Sequence, residues 1–488
     1  MKLLTLVLYI AIAAAVLTGM MGLLKKGHKS WLMTFLQHFT GILFIISGLV
    51  KAVDPMGTAF KMEQYFTEFE YTFAETAFKF LSPLFPFLSS ISLVFSIVMI
   101  IFEIVLGVML IMGHKGKLTS WLFLLLVLFF TMLTGFTFLT GYVPSGTNFF
   151  DFGNWGPYTA TNMRVTDCGC FGDFIKLVPR ISFYKDLVLL IPAFYFVFRH
   201  KDMHQLFTPT VRNYVLGAIT LVLIWFCLRN AIWNLPIVDF RPFKVGTDLY
   251  QKKKAEEDAA AAVQVISLKL RNKNTGEVKD ISYEVYRKEW AQYPKEEWET
   301  IDQVKSKLTI EPTKVSEFSI MSVDGFDVAE DILTDTGDVF LVVAYKLQGE
   351  PMVEKVMALD TTWRPDTLRT ADTVIYFQNI SAIMSREETT ETFDWDDHYV
   401  SLYTEKVNPF LDDVMRQGAK VYAAAGGAGS EKLELFRKAI NGKYDWYEAD
   451  DILLKTIIRS NPGVVHLKGG KVMAMWHIRH LPKTLTLK

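Results

Sequence analysis

Six apolar stretches, each at or near the length that crosses a bilayer, all fall before residue 235. A membrane-spanning helix needs about 20 predominantly apolar residues. Residues 3–24, 32–50, 87–112, 118–141, 183–198 and 212–233 meet or approach that length, the fifth being the shortest. The run at 3–24 is too long for the apolar centre of a signal peptide, and no small-residue cleavage site with a soluble sequel follows. It is read as a retained helix. Although 51 % of the chain is apolar, the residues beyond 235 read as an ordinary soluble protein.

Positive charge is distributed unevenly between the spans. KKGHK (25–29), HKGK (114–117) and RHKDMH (199–204) occupy the first, third and fifth connections, whereas the second (51–86) and fourth (142–182) are long and mixed in charge. Lys and Arg in short connections mark the cytoplasmic side. Three alternating connections agree, so both termini, the fourth connection and everything after residue 235 are expected outside the cytoplasm, where cysteine pairs oxidise and persist.

The fourth connection contains DCGCFGDF (167–174), with two of the three cysteines in the chain. Residues i and i+2 of an extended strand lie at the upper edge of the Cα separation a disulfide tolerates, about 4.4–6.8 Å, with both side chains on one face. Closing a bridge needs a bend, for which Gly169 supplies backbone freedom. A ring that small stabilises little by closing a loop, and a strained disulfide is oxidising. Cys168 and Cys170 are therefore read as a redox-active pair, with two free thiols, an inert bridge or half of a metal site as alternatives. No C-x-x-C or suitably spaced His accompanies them, so no metal is expected. Cys227, within LVLIWFCLRN, reads as a small apolar residue of the sixth span.

Glu103 lies midway along the third span, in VMIIFEIVLGV. A charge at that depth is costly, so it must face the bundle, be paired or be protonated. It is read either as a group that carries or gates protons or as one that hydrogen-bonds a neighbouring helix. Lys51 and Asp54 close the second span, as proton-linked groups or as snorkelling and capping groups. The aromatic segment NFFDFGNWGPY (148–158) suits an interfacial belt or the roof of a lipid or quinone pocket.

In the soluble part, QKKKAEEDAAAAV (251–263) reads as a helical connector. VQVISLKLRNKNTGEVKDISYEVY alternates apolar and polar residues about Asn-Thr-Gly, the pattern of a β-hairpin. DVFLVVAYKL (338–347) and AKVYAAAGG (419–427) suit buried strands. SEKLELFRKAIN (430–441) suits a helix with Ser430 as N-cap, and GVVHLKGGKVMAMWHI (463–478) two strands about Gly-Gly.

SGLVKAVDPMG (47–57) followed by FEIVLGVMLIMG (102–113) resembles the DoxX-like integral membrane family. DCGCFGDF between the fourth and fifth spans resembles the MauE branch of that superfamily, over roughly residues 30–200. The resemblance implies a helical bundle linked to extracytoplasmic thiol–disulfide chemistry beside a thioredoxin-like partner. KVSEFSIMSVDGFDVAEDILTDTGDVFLVVAYKL (314–347) resembles the opening of TlpA-type thioredoxin-like domains. RSNPGVVHLKGGKV (459–472) resembles their cis-proline strand, with Pro462 in the cis-proline position. Where that family carries C-x-x-C this chain has AYKLQGEPMVEK, so the domain is not by itself a dithiol oxidoreductase.

The expected architecture is an all-α polytopic membrane bundle of about six helices over residues 1–235. A linker and small β segment follow over 236–312, then a soluble α/β thioredoxin-like domain over 313–488. The expected function is thiol–disulfide chemistry through Cys168 and Cys170, with a membrane quinone as the candidate electron acceptor and Glu103, Lys51 and Asp54 linked to proton movement. The competing reading is a non-enzymatic envelope scaffold that binds partners through its thioredoxin-like domain, where Asn461 and Pro462 form a peptide-binding edge. A transporter is a weaker third, since the chain shows no inverted repeat. Expected partners are membrane lipid and extracytoplasmic client proteins, with no nucleic acid. The expected location is a bacterial inner membrane.

Overall fold

The computed structural model describes residues 3–23, 29–165, 169–369 and 372–487. The chain divides into two units, one of Met1–Lys244 with Lys455–Arg459 and one of Val245–Leu454 with Ser460–Lys488.

The first unit is helical. α1 (Leu3–Leu23), α2 (Trp31–Val53), α3 (Pro55–Ala74), α4 (Leu84–Ser90), α5 (Ser92–Met112), α6 (Gly116–Leu139), α7 (Pro179–Phe198) and α8 (Pro209–Leu228) follow in order. Six of them, α1, α2 and α5 to α8, are long and apolar enough to cross a membrane. α2, α5 and α6 bury half or more of their spans, whereas α1, α7 and α8 lie mostly at the surface. Their outward side chains are apolar, among them Leu8, Ile12, Val188, Ile191, Leu221 and Trp225, as helices bathed in lipid require. The second connection differs from the loop expected. Asp54 accepts the backbone N–H of Gly57 at 3.0 Å, and Pro55 stands in the first turn, where its missing N–H costs nothing. Asp-Pro therefore ends α2 and starts α3 at once. The third span begins at Ser92, because residues 84–90 form the separate helix α4. Of the first basic connection, residues 24–28 lie outside the described residues.

α2 sits against α1, α3, α5 and α8, and α6 against α7. Close approach of α2 and α5 depends on glycine. A Cβ on Gly107 would lie 2.7 Å from the Gly41 carbonyl oxygen, and one on Gly48 would lie 2.4 Å from Ile104 Cγ1.

The second unit opens with α9 (Leu249–Ala261), capped by Asp248. β1 (Val265–Asn272), β2 (Val278–Ser282) and β3 (Trp298–Lys305) then form an antiparallel sheet in the order β2-β1-β3, with α10 (Tyr283–Glu289) between the last two. The Asn-Thr-Gly hairpin is present; β3 was not foreseen. After α11 (Ala329–Thr334), a five-stranded sheet has the order β10-β9-β4-β7-β8. It comprises β4 (Asp338–Ala344), β7 (Lys420–Gly426), β8 (Asp445–Ala449), β9 (Gly463–Lys468) and β10 (Lys471–His477). β4, β7 and β8 are parallel; β9 runs antiparallel to both of its neighbours, β4 and β10. β4 is buried from Val339 to Ala344, as its unbroken apolar run demands of a central parallel strand.

α12 (Asp397–Leu402), α13 (Asn408–Arg416), α14 (Ser430–Ala439) and α15 (Asp451–Ile457) connect the later strands. Phe340, Tyr399, Tyr403, Phe410, Phe436 and Trp446 meet in the core over one sheet face. Gly429, rather than Ser430, occupies the N-cap of α14. Between β4 and α12 the chain makes a long antiparallel ribbon, β5 (Gly349–Arg369) with β6 (Val374–Trp395), which the sequence did not announce.

Candidate functional site

Ser47 and Lys51 are one turn apart near the C-terminal end of α2 and so share a helix face. Ser47 Oγ donates to the carbonyl oxygen of Cys170 at 2.9 Å. Lys51 Nζ donates to Glu103 Oε2 of α5 at 2.5 Å, with both residues buried. Lys51 also lies over the Phe130 ring, 5.0 Å from its centroid. Lys51 is thus no snorkelling group: it is turned inward, onto the one acid of the third span. The pairing follows from the glycines, because Gly48 and Gly107 bring the two backbones within reach of a lysine stem. Each charge offsets part of the other's cost of burial.

The thiol loop meets this helix end. Gly169 has φ +60°, the left-handed region that glycine enters without a steric cost. A Cβ there would lie 3.2 Å from Lys61 Cγ, so both the turn and the close approach call for glycine. Cys170 follows, half-buried against the apolar core that includes Leu43, Phe44 and Phe171. Cys168 lies outside the described residues, as do Thr166 and Asp167.

Asp54 caps α3 and takes two hydrogen bonds from Arg459, Nε to Oδ1 at 3.1 Å and Nε to Oδ2 at 3.0 Å. Arg459 Nη2 lies 3.4 Å from Asp173 Oδ2, in the same loop as Cys170. Burial works to raise the Asp54 carboxyl, but the Arg459 guanidinium and the Gly57 N–H hold it below the usual carboxylate range. One polar seam within the first unit therefore runs Glu103–Lys51, Ser47–Cys170 and Asp54–Arg459–Asp173. It brings together Cys170, Glu103, Lys51 and Asp54 from the residues singled out in the sequence. Cys227 is buried on α8 beside Ala52, Ile100 and Ile104.

Sequence reasoning missed a second buried charge. Asp186 of α7 is buried, accepts from Thr134 Oγ1 of α6 at 3.0 Å, and pairs with Lys185. Its signal was the Lys-Asp dipeptide inside the fifth span. It also missed a buried histidine pair, His38 and His204, whose ring centroids are 4.8 Å apart. His38 Nδ1 is 2.9 Å from Thr18 Oγ1, and His204 Nε2 is 2.7 Å from the Ile111 carbonyl.

In the second unit the Asn461–Pro462 peptide is cis. Asn461 Nδ2 donates to the Lys346 carbonyl at 2.6 Å, and its Oδ1 accepts from Tyr399 Oη at 3.3 Å. β9 is bonded on both sides, to β4 and to β10, so β9 itself has no open edge. Among the described residues no cluster of three or more His, Cys, Asp or Glu is arranged to hold a metal.

Comparison with curated proteins and with solved structures returns no match. The model of the family described as methylamine utilisation protein MauE matches residues 29–145, from just before the N-cap of α2 to just past α6. That stretch holds Ser47, Lys51, Asp54 and Glu103 and stops short of the cysteines. With six helices long and apolar enough to cross a membrane, the match supports a multi-pass membrane protein that is similar to the MauE family over residues 29–145.

Proposed function

We propose that this protein supports extracytoplasmic thiol–disulfide chemistry from within the membrane, with Cys168 and Cys170 as a redox pair that exchanges electrons with a membrane quinone. The observation that carries this reading is the bond from Ser47 to Cys170. It fixes the thiol loop to the helix turn that also presents Lys51 to Glu103. In the oxidising direction the two thiols give up two electrons and two protons and join as a disulfide; the quinone takes both and becomes a quinol. The reverse reaction restores the thiols. The two protons pass from the thiols to the quinone, and we assign their transfer to Glu103, the buried carboxylate paired with Lys51.

The second unit is proposed as a thioredoxin-like client module. Its support is the sheet order, with β4 between parallel β7 and antiparallel β9. It has no cysteine of its own, since none follows Cys227. A client polypeptide would be held near Asn461 and Pro462 and its sulfur delivered to the membrane pair. We place the cysteines outside the cytoplasm of a bacterial inner membrane on the strength of the basic connections.

The test is a thiol count on the purified full-length protein. Reduced protein is incubated with a short-chain quinone, quenched with maleimide and weighed. The expected result is loss of two labelled sites with one quinol formed per chain. Full labelling with no quinol formed would overturn the quinone step. The scaffold reading, favoured by a thioredoxin-like unit without cysteine, separates in cells: Cys168→Ser or Cys170→Ser accumulates mixed disulfides under the redox reading and none under the scaffold reading.

A further inference from the structure

Two buried carboxylates, each paired with a lysine, flank one strip of α6. Phe130 and Thr134 are one turn apart and share a helix face. Lys51, paired with Glu103, lies over the Phe130 ring at 5.0 Å. Asp186 of α7, paired with Lys185, accepts from Thr134 Oγ1 at 3.0 Å. Asp186 also stands one turn from Leu189 and Leu190, which pack with Phe130 and Cys170 in one apolar core. Thr134 is placed to serve Asp186 in either protonation state. Its hydroxyl has one hydrogen and two lone pairs, and it lies 2.9 Å from the Phe130 carbonyl oxygen as well. With Asp186 ionised, the hydrogen points to Oδ2. With Asp186 protonated there, its own O–H donates to Thr134 Oγ1, whose hydrogen turns to the carbonyl. Neither state leaves a buried polar group unmet, which would otherwise be costly. Further along α6, Tyr65 Oη of α3 meets Thr137 Oγ1 at 2.6 Å, and Thr140 Oγ1 donates to the Thr137 carbonyl at 2.9 Å. Buried hydroxyls therefore continue from Thr134 to the end of the helix.

We propose that Asp186 is a second proton carrier of the thiol–quinone exchange, an inference that rests on that exchange as proposed above. Oxidation of two thiols by a quinone passes two electrons and two protons to it. Glu103 alone must load and discharge twice for every quinol. With Asp186, each carboxylate takes one proton as the two S–H bonds break and the S–S bond closes. Each then yields its proton as the two O–H bonds of the quinol form. Asp186 ends the cycle ionised and paired with Lys185. An ionisable group inside a span is costly, and a tie between α6 and α7 alone needs no charge, since an asparagine accepts from Thr134 equally well.

The test measures quinol formation by the reduced full-length protein with a short-chain quinone. Asp186→Asn keeps an acceptor for Thr134 and removes the group that titrates. It should slow the maximal rate about a hundredfold and leave the half-saturating quinone concentration unchanged; Asp186→Glu should restore most of the rate. Asp186→Ala should be slow in the same way and should recover with rising formate, a small diffusible acid. A lost structural tie would not respond to formate. A measurement on the wild type depends on no variant folding: dicyclohexylcarbodiimide, which modifies protonated carboxyls in apolar surroundings, should label Asp186 by peptide mass spectrometry and lower the rate. A wild-type rate in Asp186→Asn, no rescue by formate, or an Asp186 that stays unlabelled overturns the proposal. A wild-type protein that forms no quinol fails the exchange itself and the proposal with it, whereas quinol formed at full rate without Asp186 fails the proposal alone.

Discussion

Lys51 and Glu103 form a 2.5 Å ion pair between α2 and α5, with side-chain exposures of 6 % and 3 %. Removing one partner leaves the other charge buried and alone, which costs about 3–5 kcal/mol in comparable pairs. Lys51→Met and Glu103→Gln should each lower the unfolding midpoint in detergent by that order. The double variant should lose clearly less than the sum, because no orphan charge remains. A double-mutant cycle by thermal unfolding measures the coupling; strict additivity would mean the pair does not form.

The bond from Ser47 to Cys170 predicts thiol accessibility. A hydrogen bond of this kind contributes about 1 kcal/mol net. If opening of the loop limits modification, Ser47→Ala should speed maleimide labelling of Cys170 roughly fivefold, the ratio that energy corresponds to. Ser47→Thr keeps the hydroxyl and should restore the slower rate. Stopped labelling time courses on the reduced full-length protein supply the comparison, and equal rates in all three proteins would dissociate the loop from α2.

What the sequence disclosed and withheld follows from the range of each interaction. The spans were legible because lipid imposes a length and a composition on every residue of a helix. β4 was legible because its burial on both faces leaves an unbroken apolar run. Glu103 was legible as costly, but its partner was not. Lys51 is 52 positions away, and only the glycine-mediated approach of α2 to α5 joins them. Lys51 at the end of an apolar run looks the same in sequence whether it snorkels or turns inward. Asp186 was hidden by its neighbour Lys185, since a Lys-Asp dipeptide resembles the polar margin of a span. The β5–β6 ribbon was hidden for another reason: its inner and outer segments mix apolar and charged residues without one steady alternation, and strand length is set by cross-strand pairing that no local pattern encodes.

Gly107 of α5 is predicted to tolerate no added methyl group without strain. Its added Cβ would meet the Gly41 carbonyl at 2.7 Å and Ile45 Cγ1 at 2.9 Å. The first of these is backbone and cannot rotate away. Gly107→Ala should therefore cost about 1–3 kcal/mol by overpacking and push α2 from α5, which weakens the Lys51–Glu103 pair as well. Gly19→Ala on α1, where a Cβ has nothing within 4 Å, is the matched control. Thermal midpoints in detergent should fall for the first and stay unchanged for the second.

Stability should also depend on pH through His477 at the end of β10. Its Nδ1 accepts the backbone N–H of Arg479 at 3.1 Å, which requires that nitrogen to be unprotonated. Burial first, then the charges of Arg479, His480 and Lys406, hold its pKa down at about 4 against an ordinary 6.5. The unfolded chain therefore binds a proton that the folded chain refuses between those values, so folding is favoured in full above pH 6.5 and loses this contribution as pH falls toward 4. With allowance for solvent screening the loss is about 1–2 kcal/mol. His477→Asn offers a non-titrating oxygen where Nδ1 accepts, and should flatten the pH dependence while leaving stability at pH 7.5 close to wild type. Unfolding of the second unit, followed by tryptophan fluorescence from pH 7.5 to 4.5 in both proteins, decides the matter: parallel curves would remove His477 as the titrating group.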